Sequence, residues 1–232
     1  MNNTQSYPQP IPVIELDEQS RATFVSRTYT HLFGAITAFT LIEIFLFKSG
    51  LAEPMARAML GVSWLFVLGG FVVVSWLASR TAHTATSKAV QYAALAGFVG
   101  AEAIIFVPLL WMANNYAGML TSAVAVTFLG FTGLSLVAFF TRKDFSFLRG
   151  ILCWGGIIAL VLIVAGTIFG FQLGTFFSVA MIALAGGAIL YDTSNILHHY
   201  PEDRYVGAAL ELFASVALMF WYVLRLFLSS RR

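Results

Sequence analysis

Seven mainly apolar stretches of membrane length follow one another in this chain, at residues 28–47, 56–78, 89–112, 116–140, 150–169, 174–197 and 206–228. A helix needs about 20 such residues to cross the roughly 30 Å hydrocarbon core, and a helix is the default spanning element because lipid offers its backbone no partners. The links are too short to house a soluble domain. The expected fold is therefore an all-α membrane protein with seven transmembrane helices, over residues 28–228. Charged residues make up 10% of the chain, against about 25% in soluble domains. The net charge of +2 is small and its basic residues are scattered, which excludes a nucleic-acid surface. One cysteine makes neither a disulfide framework nor a thiolate metal cluster.

Residues 1–27 hold Pro8, Pro10 and Pro12, then Glu15, Asp17 and Glu18. They lack the basic start and apolar centre of a signal peptide and read as a mobile N-terminal tail. Residues 229–232 read as a C-terminal tail. The links alternate in charge: Arg21, Arg27, Arg80, Lys88, Arg142, Lys143, Arg149 and Arg204 fall on one side, with Lys48, Arg57, Arg225, Arg231 and Arg232 on the other. The positive-inside bias places the first set, and the N-terminus, in the cytoplasm, and after seven spans the C-terminus outside.

An acidic residue inside a span costs a few kcal/mol on insertion scales and is by default a functional-site hypothesis. Residues 186–225 carry two, Asp192 and Glu211, one on either side of a short polar turn. Each lies six positions from that turn, about 9 Å into the bilayer. Antiparallel helices would hold them at matched depth, and two carboxyls in poor solvent would share a proton and act as a pH-sensitive latch. Arg80 is the basic candidate on the same side. Glu102, deep in the third span, is expected to face a pore or to be buried structurally. Glu43 is expected to snorkel to the outer interface. Asp192, Ser194, Asn195 and Ser215 offer hard oxygen donors, the kind that suit Ca²⁺. Gly-x-Ser-x-Gly, His-Glu-x-x-His and Gly-x-Gly-Asp motifs are missing, so no enzyme and no resident cofactor is expected.

Two motifs, Thr141-Arg142-Lys143-Asp144-Phe145-Ser146-Phe147-Leu148 and Ala188-Ile189-Leu190-Tyr191-Asp192-Thr193-Ser194-Asn195-Ile196, at this spacing among seven apolar runs, resemble the Bax-inhibitor-1-like family. The resemblance covers nearly the whole chain. It implies a last helix at the centre, wrapped by the other six. It also implies, for some members, a pH-sensitive calcium leak governed by two aspartates with an arginine of the second helix as partner. Asp192 takes the first aspartate's place and Arg80 the arginine's. Ser215 stands where the second aspartate is expected, with Glu211 one turn earlier. The serine and the Thr-Ser-Asn run resemble the branch containing a bacterial inner-membrane modulator of the FtsH protease. The leading expectation is a pH-responsive calcium or cation leak channel of the inner membrane, with calcium as the transported species. The alternative is a non-transporting regulator that binds a membrane protease.

Overall fold

Five consecutive residues, Val206 to Leu210, are buried. At 3.6 residues per turn they point in every direction around their helix, so that helix must be surrounded. The computed structural model describes residues 11–230, and among them are eight α-helices. They are α1 (Glu18–Lys48), α2 (Ala52–Leu60), α3 (Trp64–Thr84), α4 (Lys88–Asn114), α5 (Met119–Thr141), α6 (Leu148–Phe169), α7 (Thr175–His198) and α8 (Tyr205–Ser229). All but α2 are long and apolar enough to cross a membrane. α8 is the centre, with α1, α3, α4, α5 and α7 packed on it. α6 stands at the periphery and joins the bundle chiefly through α7, burying only Ala159 and Gly166. Phe33, Phe66, Phe140 and Phe176 are more than 70% exposed. An apolar exterior on this scale fits lipid rather than water.

The two shortest links do turn between separate spans. Gly118 and Gly170 adopt left-handed backbone conformations, φ +76° and +74°, which glycine reaches without a side-chain clash. The second span differs from its expected bounds. The run 56–78 is interrupted at Gly61-Val62-Ser63, Ser63 being the extended residue before α3. The first part belongs to α2, which folds back on α1 and α4 so that Ala52 and Ala56 pack against Leu46 and Val107. The span itself starts at Trp64 and runs on to Thr84.

α2 also changes the setting of Glu43. This residue does not snorkel: it is 7% exposed, and both its carboxyl oxygens are buried without a partner. Leu46, nearly a turn further out, already lies under α2. An unsatisfied buried polar group costs about 1–3 kcal/mol. Glu43→Leu is therefore expected to raise the thermal midpoint in detergent, and an unchanged or lower midpoint would show that the carboxyl is satisfied.

The expected tail is not a tail within the described residues. Asp17 caps α1, its carboxylate accepting from the Gln19 and Ser20 amides at 3.0 Å, so residues 18–27 are the first turns of a helix. Pro12 bridges Pro201, the Val13 amide donates to the Tyr200 carbonyl at 2.9 Å, and Val13 is fully buried. Residues 1–10 of that segment lie outside the described residues, as do Arg231 and Arg232. Helix α8 continues through Ser229, the first residue assigned to the C-terminal tail.

Candidate functional site

Glu211 and Asp192 each find a serine, and not each other. On α8, Ser215 donates to Asp192 Oδ2 at 2.5 Å, joining α7 to α8. Asp192 is 9% and Ser215 7% exposed. One turn toward the polar end, Glu211 Oε1 accepts from Ser79 of α3, also at 2.5 Å. The helices α3 and α8 approach closely there: a Cβ on Gly207 would stand 3.3 Å from the Ala82 carbonyl oxygen. Small residues at a helix interface permit this approach.

His83 extends the Glu211 side of the site. Its Nδ1 is 2.8 Å from the Ser79 carbonyl and 3.7 Å from Glu211 Oε1, and its Nε2 is 3.2 Å from the Tyr200 hydroxyl. One neutral tautomer satisfies both hydrogen bonds: Nδ1–H donates to the carbonyl, and Nε2 accepts from Tyr200. Desolvation, then the charges of Glu211 and Asp192, hold the Tyr200 hydroxyl well above its ordinary value, so it remains a donor. Tyr200 also carries the carbonyl that anchors Val13, which links the N-terminal segment to this cluster.

Arg80 is not part of it. The side chain is exposed, and its guanidinium lies over the Trp76 ring, 5.2 Å from the centroid. The reason is helical phase. Ser75, Ser79 and His83 recur every four residues and share the inward face of α3, whereas Arg80 is one position, or about 100°, away. That i, i+4, i+8 polar stripe was visible in the sequence and is the signal that would have identified Ser79 and His83.

Ser194 and Asn195 do not join Asp192 as a ligand set. The Ser194 hydroxyl accepts from the Phe145 amide at 2.9 Å and donates to the Lys143 carbonyl at 3.4 Å. It pins the loop between α5 and α6. Asn195 is half-buried and gives its carbonyl to the His199 and Tyr200 amides. The two sequence motifs thus meet in space, joined by Ser194.

Asp144 reinforces that junction, accepting from the Ser146 amide at 2.8 Å with His199 Nε2 3.4 Å away. The Ser146 amide holds its carboxyl below the ordinary carboxylate range, slight burial opposes this, and the Ser146 hydroxyl and His199 add to the lowering. A lowered folded value gives stability that is present above the ordinary value, about 3.9, and is lost as pH falls through the folded one. Asp144→Asn should therefore melt slightly below wild type at pH 7, and the gap should close as pH falls through the lowered folded value. A gap that persists at low pH would contradict this.

A cavity of about 1180 Å³ opens beside these groups. Its wall includes Ser79, Glu211, Asp192 and Ser215 toward one end, Glu102 further along, and Arg225 with Gln172 toward the other. Glu102 is 6% exposed. Its level follows from ring contacts between the parallel helices α4 and α8, where Phe98 meets Phe213 and Phe106 meets Phe220. Glu102 lies midway, near Ala217 and roughly half a turn beyond Ser215. Arg225 donates to the Leu173 carbonyl at 3.1 Å.

Comparisons with known proteins agree with this architecture. Residues 21–232 match the family described as "Inhibitor of apoptosis-promoting Bax1". An uncharacterized protein of Pseudomonas aeruginosa is 31% identical over 81% of this chain and 85% of its own length. The "Modulator of FtsH protease YccA" of Escherichia coli is 30% identical over 86% of this chain and 84% of its own. An uncharacterized membrane protein of Vibrio cholerae is 31% identical over 47% of this chain and 52% of its own. With the family match covering all seven spans, the chain belongs to the Bax-inhibitor-1-like family of multi-pass membrane proteins.

Proposed function

We propose that the protein is a non-transporting regulator of a membrane protease of the FtsH kind, seated in the bacterial inner membrane. The observation that carries this reading is the neutral Ser215 donating to Asp192 at 2.5 Å. One carboxyl with a dedicated hydroxyl makes a fixed clasp between α7 and α8, where two facing acids would make a proton switch. The relative named as a modulator of the FtsH protease supports the same reading. Val13, Lys88, Asp144 and Arg204 gather around the turn between α7 and α8. The positive-inside rule puts that face, and the N-terminus, in the cytoplasm, and the C-terminus in the periplasm.

The test is reconstitution of the full chain in liposomes with FtsH and a membrane substrate that it degrades. A change of at least threefold in degradation rate at equimolar protein is expected. An unchanged rate, with no co-purification, would sink the proposal.

A second reading, a pH-responsive calcium or cation leak, is favoured by the cavity wall that reaches from Glu211 past Asp192 and Glu102 to Arg225. In liposomes holding a calcium dye, flux that follows a pH step and is altered by Asp192→Asn would establish it. Absence of flux at every pH would remove it.

A further inference from the structure

We infer that the cavity is a binding site for a hydrophobic organic cation, whose charge sits at Glu102 and whose apolar body lies against the neighbouring aromatic rings. The inference goes beyond protease regulation and stands whether or not the protein conducts ions. Its first support is Glu102 itself. This carboxyl is nearly buried yet forms part of the cavity wall, and no residue among those described gives it a hydrogen bond or an opposite charge. Polar groups in such a setting are ordinarily paired. An occupant of the cavity is what can pair this one.

The second support is the charge of the wall. Glu102, Asp192 and Glu211 all line it, and among the described residues Arg225 is its one basic side chain. Arg225 is already engaged: besides its bond to the Leu173 carbonyl, its guanidinium lies over Phe177 and Tyr222, at 5.7 and 5.9 Å. It sits two helical turns along α8 from the Glu102 level. The one basic side chain of the wall is therefore engaged elsewhere and does not pair with Glu102.

The third support decides which cation. Calcium takes six to eight oxygen ligands, and among the described residues no three of His, Cys, Asp and Glu converge on one point. The cavity wall beside Glu102 includes two half-buried rings, Phe71 of α3 and Trp221 of α8, which meet Phe98 and Phe106 one turn either side of it. Ring faces attract a weakly hydrated organic cation and do nothing to replace the water shell of a metal ion. The volume, about 1180 Å³, exceeds what a drug-sized molecule needs, roughly 300–1,000 Å³.

Tetraphenylphosphonium and tetraphenylborate test this directly, being alike in shape and opposite in charge. Equilibrium dialysis against the full chain in lipid nanodiscs, with empty nanodiscs subtracted, should show saturable binding of the phosphonium. Glu102→Gln should weaken it at least tenfold, Phe71→Leu several-fold, and tetraphenylborate should show no saturable component. Equal phosphonium binding by wild type and Glu102→Gln would overturn the inference, as would equal saturable binding of both probes. Should Glu102→Gln fail to fold, Phe71→Leu decides: undiminished phosphonium binding by that variant overturns it as well.

Discussion

Phe106→Ala is expected to destabilise the bundle by about 3 kcal/mol, a fall of roughly 6–12 °C in the unfolding midpoint for a chain of this size. Phe106 is 2% exposed, and its ring meets Phe39 of α1 at 5.2 Å, and Phe220 and Trp221 of α8 at 5.6 and 5.0 Å. One side chain therefore ties three helices together. Aromatic-to-alanine changes in cores cost about 3–5 kcal/mol. The lower end applies here because lipid is as apolar as the core, so packing rather than transfer from water is lost. Phe106→Leu should recover more than half of the loss. A midpoint within 2 °C of wild type for the alanine variant, read by thermal scanning in one detergent, would show that the contact is dispensable.

Ser215→Ala should cost about 1–3 kcal/mol, whereas Asp192→Ala should cost less. The asymmetry comes from what each change leaves behind. Without the serine hydroxyl, a 9% exposed carboxyl loses its donor in a place water reaches poorly. Without the carboxyl, the serine hydroxyl can turn to the carbonyl four residues back, as Thr28 and Thr37 do on α1. Asp192→Asn keeps an oxygen that can accept from Ser215 and should stay near wild type. Midpoints for the three variants check the order. If the regulator reading holds, Ser215→Ala should also alter protease modulation, because it loosens the α7–α8 clasp.

The seven spans were legible because each apolar run had the length a bilayer dictates and each link carried Gly, Pro, Asn or charge. The break before α3 was hidden, since Ala56 to Leu60 and Trp64 onward are both apolar and only Gly61 and Ser63 separate them. Asp192 and Ser215 were found by residue type and by resemblance. Their mutual bond was not, because sequence gives depth along a helix far better than rotation about it. Arg80 shows the same limit: it stands at the right end of its helix and faces the wrong way. Spans that meet lipid outside and apolar neighbours inside carry little amphipathic contrast, so the sparse polar stripe at Ser75, Ser79 and His83 was the remaining guide to phase.

The central place of α8 has a consequence for biosynthesis. Ribosomes deliver this chain from the N-terminus, so six spans enter the bilayer before the helix they pack around exists. Until Tyr205 to Ser229 emerges, Phe39, Phe98 and Phe106 have no Phe213 or Phe220 to meet. The half-made protein must wait as loosely associated hairpins, and final assembly becomes a single late event triggered by arrival of the last helix.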